Sequence, residues 1–112
     1  MNTAAAAPDL TPAGDRQAAC WIGLMSGTSL DGVDGVLAAF DGDQISVHAH
    51  AHRAFEPALR QELLALNTPG PDELHRAALA ANALARLYAE VVATLRRACP
   101  DAAVRAIGAH GQ

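Results

Sequence analysis

Between Met25 and Gly35 the chain reads MSGTSLDGVDG, eleven residues in which three glycines are interspersed with hydroxyl and carboxylate side chains. Glycine lets a backbone turn tightly and approach a bulky anion, so successive N–H groups can aim at phosphate oxygens. The hydroxyls of Thr28 and Ser29 can add donors to such a cradle. Asp31 and Asp34 repel bare phosphate, yet either can hold Mg2+ or its waters, which then bridge the phosphate oxygens. Spacing alone fits a polar turn between two strands equally well. A Walker A loop is excluded, because it requires a lysine and this chain has none, and no G-x-G-x-x-G marks a dinucleotide site.

Three further groups carry chemistry-bearing side chains. His48, His50 and His52 alternate along one stretch, so all three imidazoles can face one way in the manner of a His-x-His zinc pair. No carboxylate or thiol stands near them in sequence, which favours a solvated outer strand face over a metal site. His110 follows an apolar run between Gly108 and Gly111, a strand-end position of the kind where α/β sheets present ligand-binding groups. Cys20 and Cys99 lie in apolar surroundings and read as buried thiols of a reducing compartment, not as a disulfide framework.

The elements that must position these residues follow from periodicity. CWIGLM, residues 20–25, is a short apolar run entering the polar loop, Val33–Phe40 resumes it, and Asp41, Gly42 and Asp43 supply turn chemistry before Gln44–Arg53 alternates in period two. A three-stranded antiparallel meander is expected. Pro57 then suits a first helical position, with Leu59, Leu63 and Leu66 on one face before NTPGP. Asp72 opens a longer helix whose stripe of Leu74, Ala78, Ala81, Leu84 or Ala85, Tyr88, Val91 and Leu95 reaches Cys99 and Pro100, its alanines suiting close approach to a sheet. Tyr88 and Trp21 are expected to fill core. Ala103–Ala109 is a fourth strand, and a helical crossover makes it parallel, giving a mixed α/β sheet.

Composition narrows the function classes. The net charge is −4 and the eight arginines are scattered, so no basic stripe is available to track nucleic acid. Residues 1–19 are broken by Pro8, Asp9, Pro12 and Asp15 and have no cationic start, which predicts a disordered tail and no signal peptide. No stretch approaches the roughly 20 apolar residues of a membrane span, and a soluble, cytoplasmic protein is expected. Half the residues are apolar, but many are alanine and few are aromatic, so the core is thin and benefits from further chain.

IGLMSGTSLDGVDGVLAAF resembles, nearly residue for residue, the N-terminal signature of the anhydro-N-acetylmuramic acid kinases, bacterial enzymes of peptidoglycan recycling. The closing IGAHGQ looks like a second segment of that family, so the resemblance covers Trp21–Gln112. It implies a sugar kinase of the actin, Hsp70 and hexokinase superfamily, with two ribonuclease-H-like domains and ATP in the cleft between them. Residues 20–112 then form the N-terminal part of the first domain, and the ATP-binding segment is Gly27, Thr28, Ser29, Leu30, Asp31, Gly32, Val33 and Asp34. Leu30 and Val33 serve packing. Many superfamily members place an Asp where this chain has Met25, which leaves Asp31 or Asp34 to organise Mg2+.

The family reaction opens the 1,6-anhydro bridge by hydrolysis and phosphorylates the freed O6, giving N-acetylmuramic acid 6-phosphate and ADP. The resemblance assigns the general base to an Asp beyond residue 112, so no catalytic residue is expected here. It places His110, Gly111 and Gln112 near the sugar, and the family commonly dimerises. The chain is expected to be an N-terminal fragment, marginally stable and inactive alone. Another sugar kinase of the same superfamily and a non-catalytic association module are the alternatives.

Overall fold

Cys20, Ile22 and Leu24 alternate with Trp21, Gly23 and Met25, the pattern of a strand with one covered face. The computed structural model describes residues 19–27 and 30–110. In it β1 runs over Ala19–Ser26, β2 over Gly32–Asp41 and β3 over Gln44–Ala54, with α1 at Pro57–Ala65, α2 at Glu73–Ala98 and β4 at Ala103–His110. The β2–β3 turn passes through Gly42, whose φ of +60° suits glycine. Residues 1–18 of the expected tail lie outside the described residues, and Ala19 is the first residue of β1.

The sheet order is β3-β2-β1-β4, antiparallel between β1, β2 and β3 and parallel between β1 and β4. The expected meander with one parallel strand is therefore present. A helical crossover carries the chain back so that β4 enters in the direction of β1. Ile22, Leu24, Val33 and Leu37 on one sheet face close against Val91 and Leu95 of α2, with Leu30 and Phe55 at the loop end and Leu59 and Leu63 of α1 at the margin. Ile22, Leu37, Leu95, Val33 and Val91 are the largest fully buried side chains, each contributing about 1.5–3 kcal/mol.

Two expectations about packing are corrected. Leu74, Ala78, Ala81 and Ala85 do not lie on the sheet: Leu74 is 90% exposed, and α2 packs through its second half. α2 runs along the strands, with Glu90 beside Arg53 near the end of β3 and Cys99 beside His48 in its middle, so its first half extends past the strand ends. Asp72 opens α2 as expected, standing at its N-cap with φ 52° and with no capping bond from its carboxylate. Trp21 is not core: it meets Phe40 edge to face on the opposite, open face of the sheet, at 5.3 Å between centroids. Met25, Phe40, Ile45 and Val47 are all exposed there.

By length and composition α2 is also apolar enough to cross a membrane, contrary to expectation, although that is weak support for a span. Val91 and Leu95 in its second half are fully buried against the sheet. Arg76 in its first half grips Glu62 of α1 through two hydrogen bonds, 3.1 Å from Nε and 2.5 Å from Nη2. Those bonds hold the Glu62 carboxyl below its ordinary value of 4.5. Cys20 and Cys99 are not bridged, and burial, followed by the neighbouring Cys99, raises the Cys20 thiol above its ordinary value.

Candidate functional site

The loop leaves β1 after Ser26, which is buried, and Leu30 N–H donates to the Gly27 carbonyl at 3.0 Å to close a turn. Thr28 and Ser29, expected as hydroxyl donors, lie outside the described residues. Leu30 adopts φ 56°, a left-handed conformation uncommon for a residue with a branched side chain. Its side chain is only 3% exposed within the core, and that burial offsets the backbone strain. The expectation that Leu30 and Val33 serve packing is met, since Val33 is fully buried as well.

The rest of the loop is fastened to the far end of β3 and the start of α1. Phe55 N–H donates to the Asp31 carbonyl at 3.0 Å, and Arg60 Nε–H donates to the Leu30 carbonyl at 3.2 Å. Gly32 sits so close to β3 that a Cβ there would lie 2.2 Å from the Arg53 carbonyl oxygen. The glycine is thus required by strand approach. Asp31 is exposed, and its carboxylate has no hydrogen-bond partner among the described residues.

Asp34 lies on β2 and points to the open face, where its Oδ1 accepts hydrogen bonds from His52 Nδ1 at 3.0 Å and His50 Nε2 at 3.3 Å. The His52 hydrogen bond, with the weaker one from His50, holds the Asp34 carboxyl below its ordinary value of 3.8. Sequence reasoning missed this cluster, because the carboxylate is 16 and 18 residues away from the two histidines. His48 is not part of it. It occupies a bulge between Ala49, paired with Leu37, and Val47, paired with Ala38, and its carbonyl receives the Cys99 thiol at 3.9 Å. Among the described residues no three His, Cys, Asp or Glu side chains are arranged to hold a metal ion.

Asp34 and Glu62 both favour the ionised form in the fold, so both stabilise it at neutral pH. Their contributions are complete above the ordinary values of 3.8 and 4.5 and are lost as pH falls through the lowered ones. The urea midpoint should therefore decline on acidification below pH 4.5. The decline should be shallower in an Asp34→Asn, Glu62→Gln double variant; equal steepness would remove both carboxylates from the account.

The end of β4 completes the site. Met25 pairs with His110, so the carboxyl ends of the parallel strands β1 and β4 lie side by side next to the loop. Tyr88 of α2 donates its hydroxyl to the His110 carbonyl at 2.6 Å, which ties that end down. Tyr88 therefore does more than fill core. Gly111 and Gln112, the other expected sugar contacts, lie outside the described residues. Gly23 and Gly108 leave a shallow, largely apolar depression on the open face beside Met25 and Asp34.

A mixed sheet of three antiparallel strands and one parallel strand, with two helices, defines the chain as an α/β protein. The sequence model of one family, described as anhydro-N-acetylmuramic acid kinase, matches residues 19–112. This chain belongs to the anhydro-N-acetylmuramic acid kinase family. It is 63% identical over 100 residues to the anhydro-N-acetylmuramic acid kinase of Bordetella avium, covering 88% of this chain and 26% of that protein. Identity is 63% over 94 residues to the enzyme of the same name from Variovorax paradoxus, covering 82% of this chain and 25% of that one. For Cupriavidus metallidurans the figures are 55% over 103 residues, 90% and 27%. The chain thus spans about a quarter of the length of these relatives.

Proposed function

We propose that this chain is the N-terminal, phosphate-loop part of an ATP-dependent kinase acting on 1,6-anhydro-N-acetylmuramic acid, with hydrolytic opening of the anhydro ring and formation of N-acetylmuramic acid 6-phosphate. The observation that carries the reading is the family match over residues 19–112, which includes the whole loop at the carboxyl end of β1. Gly27, Thr28, Ser29, Leu30, Asp31, Gly32, Val33 and Asp34 are the ATP-binding segment on this reading. ATP supplies the phosphoryl group, and Mg2+ neutralises the oxygens of its phosphates.

The residues present fit such a group. The turn at Gly27 and Leu30 and the tight approach at Gly32 hold the loop backbone in place without covering Asp31. Asp31 is the better candidate to hold Mg2+ or its waters, since its carboxylate has no competing partner among the described residues, whereas Asp34 is engaged by two histidines. His110, Gly111 and Gln112 are proposed sugar contacts, supported by the pairing of Met25 with His110. The base that activates the attacking water is assigned to the three quarters of the relatives' length that these residues do not span. Residues 20–112 are read as part of a ribonuclease-H-like first domain of a two-domain sugar kinase, with strand order β3-β2-β1-β4 in support. A cytoplasmic role in cell-wall recycling and a homodimer complete the proposal.

The test is a chimera in which residues 19–112 replace the matching segment of the Bordetella avium relative, assayed for ADP release with the anhydro sugar. It should turn over, and a Thr28→Ala, Ser29→Ala change should lower kcat/KM by roughly 10-fold or more by removing two donors. Turnover indifferent to the loop change rejects the phosphate-loop reading, and a folded but inactive chimera rejects the functional one.

A further inference from the structure

A phosphate loop needs positive charge as well as backbone N–H groups, and in Walker-type loops a lysine within the loop supplies it. Here no lysine exists, and no arginine falls between residues 17 and 52. Beside Mg2+, any positive charge from the protein must come from another element. Among the described residues the cation hydrogen-bonded to the loop is Arg60, through Nε to the Leu30 carbonyl at 3.2 Å. The other arginines with side-chain partners are engaged elsewhere: Arg53 with Glu90, Arg76 with Glu62, and Arg97 with Thr94.

Two features separate Arg60 from an ordinary structural arginine. Its partner is a neutral carbonyl, and no carboxylate pairs with it among the described residues, so its full charge and the four N–H donors of its two terminal nitrogens stay available. It also lies in the first turn of α1, which contains no acidic residue, and there the helix dipole disfavours a cation. Helix stability alone therefore does not explain an arginine at this position. A planar guanidinium held by Nε presents its outer edge as a preformed fork for an oxyanion.

We propose that Arg60 supplies the cation of this loop, fixing the Leu30 carbonyl with Nε and binding phosphate oxygens of the nucleotide with its terminal nitrogens. The proposal rests on the phosphate-loop reading above and adds a binding residue from α1 to it. Because the Leu30 bond already restrains the side chain, less rotamer freedom is lost when phosphate binds.

The test titrates the isotopically labelled chimera described above with MgATP and, separately, with inorganic tripolyphosphate, following the amide signals of Gly27 and Gly32. Wild type should bind both. Arg60→Gln should weaken both by roughly 10- to 100-fold, the loss expected for a charged hydrogen-bonding group. Arg60→Lys, which keeps the charge without the fork, should stay at least about fivefold weaker than wild type. Arg86→Gln should change nothing. Unliganded spectra establish that each variant is folded.

Wild-type affinity in folded Arg60→Gln overturns the role of Arg60 and leaves the loop reading standing. Should Arg60→Gln not fold, wild-type affinity in Arg60→Lys overturns it instead. An active, unmutated chimera with no response at Gly27 or Gly32 overturns the loop reading, and the proposal falls with it.

Discussion

Replacing Gly32 by alanine is expected to destabilise the fold by about 3 kcal/mol, the upper end of the range for an overpacked site. The added Cβ would meet the Arg53 carbonyl oxygen at 2.2 Å, Ala54 Cα at 2.8 Å and the Arg53 carbonyl carbon at 2.9 Å. All three are backbone atoms, so no rotamer change relieves the contact. Either β2 separates from β3 where Gly32 pairs with Ala54, or the loop shifts and breaks the bond between Phe55 and Asp31. Gly108→Ala is the control, because a Cβ there meets nothing within 4 Å. Urea unfolding of the two variants should separate them clearly. A Gly32→Ala midpoint equal to that of Gly108→Ala would mean that the approach of loop and strand is not a constraint.

Leu95→Ala is expected to cost about 2–5 kcal/mol through lost burial and the cavity left behind. Leu95 is fully buried, and with Val91 it joins α2 to the sheet core. One of its methyl carbons would lie 3.1 Å from a Cβ on Gly35, so the helix rests almost on the strand backbone and little can move in to fill the gap. At roughly 4–8 °C per kcal/mol for a domain of this size, the melting temperature should fall by at least about 8 °C. The same change at Leu74, which is 90% exposed, should be nearly neutral. A similar fall in both variants would show that α2 does not dock through its second half.

Much of the fold was legible because local pattern and burial agree. Alternation in residues 20–25, turn chemistry at Asp41–Asp43, Pro57 and Pro100 as helix punctuation, and the need for a crossover to β4 each pointed to one element or one pairing. Errors arose where a pattern exceeded the surface available to it. The alanine stripe of α2 is periodic along its length, but the strands end near Tyr88 and Glu90, and its first half has no sheet to meet. Trp21 is a core-type residue on a strand whose alternation sends it to the open face.

The loop stood out from residue types alone, since glycines, hydroxyls and carboxylates in eleven residues permit a phosphate cradle and a polar turn alike. Its fastening did not, because Arg60, Phe55 and Arg53 reach it across at least 20 residues of chain. The histidines show the division most clearly. Their two-residue spacing put His50 and His52 on one face of a strand, but which face, and opposite what, depended on the bulge at His48. Counted straight back from the Asp41–Gln44 pair, Asp34 would sit opposite Ala51 with both histidines on the other side of the sheet. One extra residue shifts the register, pairs Asp34 with His52, and brings two imidazoles onto a single carboxylate oxygen. The sequence by itself determined the elements and the loop, because propensity and periodicity are local; only the tertiary structure decided what meets the loop and Asp34, because register and crossover join residues that no local pattern relates.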